Sequence, residues 1–168
     1  MVVITLDPGL ANFGYAIGKK PNQLIEYGTL YTKANRATFE ERKTYLLDNL
    51  YSKIDTYKVN LVVLEQFRVY EQNRAIHTTV ELIGALKEGL RLNFPKVQWE
   101  EIHHNSWNAR WVHLIQAGAL FTVDEVWRKA SEEYGSEHSR DAVKMLFTYV
   151  YSFKDTVLKK KQKEVDNS

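Results

Sequence analysis

No cysteine occurs among the 168 residues. Disulfides and thiolate metal sites are therefore excluded, and the chain fits a reducing compartment. No apolar run approaches the length needed to cross a bilayer, and no basic segment followed by a long apolar one opens the chain. A strong charge bias is also missing. The formal net charge is +2, too mild to mark a nucleic-acid binder by bulk charge. There is no internal repeat, and the one low-complexity stretch is a charged tail around Lys159–Lys163. Hydrophobic residues reach 44%, enough for a sizeable core. One compact domain over residues 1–153 is expected, with residues 154–168 as a flexible charged tail, in a soluble cytoplasmic protein with no membrane association.

The stretch that organises the chain is Met1–Ile17. Val2–Leu6 is a short apolar run that ends in Asp7, followed at once by Pro8 and Gly9. A second strand-like run then begins at Gly14. This pattern predicts a β-hairpin with a carboxylate at the mouth of a buried strand. A charge there is costly unless something pairs with it, although Asp7 alone reads equally well as the start of a turn. Gln23–Tyr31 reads as a third strand. Thr38 and Glu41 match a capping box that opens a helix to about Tyr57. Leu61–Leu64 is continuously apolar, as in a strand buried on both faces, and it too ends in an acid, Glu65.

After a polar and aromatic loop comes helical spacing over Arg74–Asn93, then a strand candidate over Val97–Ile102. Asn105 or Ser106 is expected to cap a short helix. Thr122 and Glu125 form a second capping box, and Ser136 opens the last helix, which runs to about Tyr151. The order βββ-α-β-α-β-α-α-α predicts an α/β fold. Three antiparallel strands joined to βαβ units make a mixed five-stranded sheet flanked by helices.

In such a sheet Asp7 and Glu65 converge if their strands are neighbours. The last helix contributes His138 and Asp141, three apart and so on one face. Four such groups form a hard, oxygen-rich cluster. Mg²⁺ or Mn²⁺ is its natural guest, and the histidine adds a nitrogen ligand or a base.

These pieces resemble the RuvC-type Holliday-junction resolvases of the RNase H-like superfamily. The matching motifs are Leu6-Asp7-Pro8-Gly9 with Gly14-Tyr15-Ala16, then Val63-Leu64-Glu65-Gln66, then His138-Ser139-Arg140-Asp141-Ala142. They follow the family's order and spacing over nearly the whole domain. The resemblance implies an RNase H-like fold and a crossover junction endodeoxyribonuclease that cuts four-way DNA junctions by hydrolysis with two divalent metals, Mg²⁺ or Mn²⁺. Carried over, Asp7 bridges both metals, Glu65 and Asp141 complete the two sites, and His138 sits beside the attacking water. The family is also dimeric, through helices after the fourth strand, so a homodimer acting on branched DNA is implied. It carries an aromatic wedge after the fourth-strand acid, for which Phe67 and Tyr70 are the candidates. Arg68 and Arg74 are candidate DNA contacts beside them. Divergence from chromosomal members fits a phage source, in a bacterial or phage-infected cytoplasm.

Other readings are another RNase H-like nuclease acting on flaps, branched DNA or RNA, and an inactive nucleic-acid-binding module on the same fold. An actin-like ATPase needs two such domains, and the chain has room for one. His103 and His104, as neighbours on an extended segment, point to opposite faces and read as a solvated turn or as phosphate contacts. His77 and His113 read as surface or packing residues, and the four tryptophans as core or interface.

Overall fold

The structure, a computed structural model, describes residues 1–66, 74–121, 123–132 and 135–152. The expected loop residues Phe67, Arg68 and Tyr70, the cap at Thr122 and the charged tail lie outside the described residues. So does the side chain of Arg74.

A five-stranded sheet with order β3-β2-β1-β4-β5 forms the middle layer. Its strands are β1 (Val2–Asp7), β2 (Asn12–Lys19), β3 (Gln23–Tyr31), β4 (Leu61–Glu65) and β5 (Gln98–Ile102). The first three are antiparallel neighbours, whereas β4 and β5 join parallel to β1 and to each other. The short Pro8–Ala11 link permits the hairpin. The β1–β4 and β4–β5 pairs need crossovers, supplied by α1 (Phe39–Thr56) and α2 (Arg74–Asn93). The mixed sheet expected from the element order is the sheet observed.

Alternation along the strands decides which layer each side chain enters. Ile4 and Leu6 of β1, with Val62 and Leu64 of β4, pack against Leu46, Leu50 and Ile54 of α1 and against Leu82 and Leu86 of α2. Val3 and Val63 point the other way, into a core with Trp107 and Trp111 of α3 (His104–Gln116), Trp127 of α4 (Glu125–Glu132) and Met145–Phe147 of α5 (Glu137–Val150). Asp7 shares the parity of Val3 and Thr5, and Glu65 that of Val63. Both acids therefore leave the sheet on the α3–α5 side.

Close contact fixes α5 there. A Cβ on Gly14 would stand 2.2 Å from the carbonyl oxygen of His138, so the helix rests on bare backbone of β2. The buried Thr5 hydroxyl donates to the Ala142 carbonyl at 2.7 Å, tying β1 to the same helix. On the other face, Gly89 of α2 serves internal packing. A Cβ on Gly89 would fall 1.6 Å from the Tyr51 hydroxyl of α1, whereas Gly84 has nothing within 4 Å.

Helix starts agree with the sequence where side-chain caps exist. Thr38 and Glu41 form the capping box reciprocally, and the Ser136 hydroxyl accepts from the Ser139 amide. At α3 the expected cap is corrected. His103 is the N-cap, with no side-chain cap bond, and Asn105 and Ser106 already lie inside the helix. Three of the four tryptophans are core; Trp99 on β5 is exposed beneath the Lys87 ammonium. His77 and His113 are exposed. Among the described residues, no helix is long and apolar enough to cross a membrane.

Candidate active site

The ladder between β1 and β4 pairs Leu6 with Leu64. The next residues, Asp7 and Glu65, therefore emerge side by side at the same end of two adjacent parallel strands. On β1's other side Asp7 pairs with Gly14, the residue on which α5 rests. That contact delivers His138, in the first turn of α5, over the end of β1.

His138 Nδ1 lies 2.7 Å from Asp7 Oδ2. Asp7 is largely buried, and the His138 ring is partly exposed. The hydrogen bond to Asp7 holds His138 above the usual histidine range, burial opposes it, and the charges of Asp7, Glu137 and Asp141 add to the rise. Nδ1 is thus the protonated nitrogen facing the carboxylate. The ring also passes over Gly9, since a Cβ there would meet His138 Cε1 at 3.7 Å.

Glu65 is held by two donors. His104 Nδ1 lies 3.1 Å from Oε1, and the indole N–H of Trp107 donates to Oε2 at 3.1 Å. The two rings meet edge to face, with centroids 4.7 Å apart. Burial pushes the Glu65 carboxyl above its ordinary range and the charge of Asp7 pushes it further, against the pull of His104 and Trp107. Two acids on adjacent strand ends are therefore in electrostatic conflict. A cation held between them would relieve it, and their hard oxygen donors suit Mg²⁺ or Mn²⁺.

Asp141, one turn beyond His138, accepts from Lys144 at 3.2 Å. The structure therefore brings Asp7 and His138 into direct contact and places Glu65 beside them, with Asp141 on the same helix but turned to its own lysine. Among the described residues, no three histidine, aspartate or glutamate side chains are gathered into a metal-binding group. Each acid instead has a nitrogen partner: Asp7 with His138, Glu65 with His104 and Trp107, Asp141 with Lys144.

His104 and Trp107 are the residues that the sequence reading missed. His103 and His104 do not sit on an extended segment with opposite faces. The helix begins between them, and β5 ends at Ile102, which pairs with Glu65 itself. The signal was available: a residue two beyond the end of the strand next to β4, with a donor three further on, shares one helical face. Lys87 and Arg91 are bound to Glu101 and Glu88 at 2.6 and 2.7 Å.

No family model matches the chain. It is 41% identical over 69 residues to the crossover junction endodeoxyribonuclease RuvC of Dictyoglomus thermophilum, covering 39% of this chain and 43% of the relative. The RuvC of Dictyoglomus turgidum is 36% identical over 85 residues, or 49% of this chain and 51% of the relative. The chain thus spans about half the length of the curated relatives it matches. Among solved structures, the fold is similar to that of T. thermophilus RuvC in complex with a Holliday junction substrate. The TM-score is 0.71 at 15% identity, over 88% of this chain and 92% of that one. For the fowlpox virus Holliday junction resolvase the TM-score is 0.52 at 14% identity, over 89% and 98%. The fold shared with these structures is the mixed five-stranded sheet flanked by helices.

Proposed function

We propose that this chain is a structure-selective DNA endonuclease that nicks four-way junctions symmetrically by metal-dependent phosphodiester hydrolysis. One observation carries the reading: the Asp7–His138 pair and Glu65 stand together at one sheet edge, where the strand-end acids are in electrostatic conflict. The names of the sequence relatives support it. Asp7, Glu65 and Asp141 are the residues that would hold divalent cations, Mg²⁺ or Mn²⁺, two per site, with His138 beside the attacking water. Bound there, such cations lower the pKa of water and offset the charge on a leaving oxygen.

The chain's own side chains do the rest. Asp7 fixes the His138 ring through Nδ1, which leaves Nε2 to exchange a proton with the attacking water. Trp107 and His104 hold both oxygens of Glu65, so its carboxylate does not swing. The Thr5–Ala142 bond and the Gly14 contact keep α5 at the distance that the Asp7–His138 pair requires. Two symmetric nicks call for two such sites related by a two-fold axis, hence a homodimer. The exposed Val80 and the open Gly84 on α2 offer the surface for it.

The test is to offer the purified protein a labelled mobile four-way junction, a duplex, a flap and a stem-loop RNA, with Mg²⁺, Mn²⁺ or EDTA. Paired symmetric nicks in the junction, lost with EDTA and with Asp7→Asn while junction binding persists, are expected. Binding without cutting under every metal would make the chain an inactive binding module. Cutting of RNA alone would make it a processing nuclease.

A further inference from the structure

Where β3 hands over to α1, an open groove of about 380 Å³ is lined by Tyr31, Thr32, Lys33, Arg36, Arg42 and Tyr45. Tyr31 is 58% exposed and Tyr45 47%, both unusually open for large aromatics. Lys33 and Arg36 are exposed, and neither forms an ion pair with a described residue. The Arg42 guanidinium is bonded through Nε to the Thr32 hydroxyl at 2.9 Å, not to a carboxylate. Glu41 is the one acid in the lining. Its carboxylate is turned to the Thr38 amide in the capping box at 2.7 Å. Three cations stand against one engaged acid, whereas Lys43, Lys53, Lys87, Arg91 and Lys144 are ion-paired.

The groove is joined to the candidate active site. β1 ends, β2 begins and β3 ends at the same edge of the sheet. The Thr32 amide donates to the Ala11 carbonyl at 3.0 Å, and its hydroxyl bonds the Leu10 carbonyl. Leu10 is three residues beyond Asp7, so at most roughly 10 Å of chain separates them. At about 3.4 Å per nucleotide step in one strand, a backbone lying on Asp7 reaches the groove within a few nucleotides.

We propose that this groove holds the DNA strand flanking the cleaved bond, with Lys33, Arg36 and Arg42 on its phosphates and Tyr31 and Tyr45 against its sugars or an unstacked base. The charge complementarity and the continuity with the Asp7 loop name the occupant. The inference rests on the nuclease reading above, and it assigns to the β3–α1 corner a binding task that the acids do not perform.

The experiment is fluorescence anisotropy of a labelled four-way junction with the full chain in EDTA, titrated from 50 to 200 mM salt. The double variant Lys33→Ala/Arg36→Ala removes two phosphate contacts, and the slope of log affinity against log salt is expected to fall by about 1.8. Lys33→Arg/Arg36→Lys, which keeps both charges, is expected to keep the slope. Tyr31→Ala and Tyr45→Ala are expected to weaken binding about tenfold with the slope unchanged, because stacking releases no counterions. Circular dichroism melts check that each variant folds. If the wild type binds junctions and Lys33→Ala/Arg36→Ala binds with the same affinity and slope, the groove is overturned and the nuclease reading stands. A wild type that binds no DNA of any form overturns both.

Discussion

The indole N–H of Trp107 donates to Oε2 of Glu65 across 3.1 Å, so a residue of the hydrophobic core also sets the orientation of a strand-end acid. One face of α3 thereby serves packing and electrostatics together. Replacing Trp107 by Phe removes a donor to a charged acceptor, an interaction worth about 1.5–3 kcal/mol, and adds a packing loss. The urea midpoint is expected to fall and junction nicking with it. His104→Gln separates the two effects, because His104 is half exposed. Nicking should fall at least severalfold while stability changes by less than about 0.5 kcal/mol. Unchanged nicking in His104→Gln would remove His104 from the site.

Gly14 tests whether α5 must sit where it does. With His138 O only 2.2 Å from a built Cβ, Gly14→Ala forces the helix off the sheet, a strain of about 1–3 kcal/mol. Nicking is expected to disappear in protein that still melts cooperatively, because the Asp7–His138 distance opens first. Gly84→Ala is the contrast. It meets nothing within 4 Å, and removing a helix-interior glycine should raise stability by about 0.5–1 kcal/mol. Denaturation curves of the pair give opposite signs.

Much of this arrangement was legible in the chain. The acids at the ends of Val2–Asp7 and Leu61–Glu65 announced buried strands with charged mouths, and the i, i+3 spacing of His138 and Asp141 placed both on one helical turn. Period-two alternation then accounts for Asp7 facing α5. The α3 contribution was not legible, because His104 gains its meaning from β5 lying next to β4, a long-range pairing that local periodicity does not encode. Nor does spacing tell which small residue of α2 meets a neighbour: Gly89 admits the Tyr51 hydroxyl of α1, whereas Gly84 is open. Asp141 turning to Lys144 is a choice among partners one helical turn apart that spacing cannot make.

The proposed homodimer can be tested on α2 directly. Val80 is 46% exposed on the helix face that carries Gly84. Val80→Glu places a charge there at little cost to a monomer, since an exposed helix position tolerates glutamate. Sedimentation equilibrium is expected to show a dimer for the wild type and a monomer for the variant, with single uncoordinated nicks in the junction. A dimer that survives Val80→Glu unchanged would move the interface elsewhere.

A second polar centre, on the opposite face of the sheet from the acids, predicts the acid limb of stability. Glu26 of β3 accepts from the Tyr15 hydroxyl at 2.7 Å and is bonded by Lys53 and Tyr57 of α1 and its C-terminal cap. The Lys53 ammonium also lies 4.5 Å from the centre of the Tyr15 ring. Burial alone would raise the Glu26 carboxyl, but the hydrogen bonds from Lys53, Tyr57 and Tyr15 outweigh it and hold the group below the ordinary value of 4.5. A carboxyl depressed by folding stabilises the native state fully above its unfolded pKa, and that stabilisation is lost as pH falls through the lower folded value. Glu26→Gln keeps the shape and deletes the charge. The stability gap between wild type and Glu26→Gln is therefore expected to be constant near neutrality, to narrow once the pH drops below about 4.5, and to close in stronger acid. Urea midpoints measured at intervals from pH 7 to pH 3 read it directly. A gap that stays level across that range would mean that the carboxylate of Glu26 contributes no charge-dependent stability, and that the Lys53 and tyrosine contacts hold β3 to α1 by packing alone.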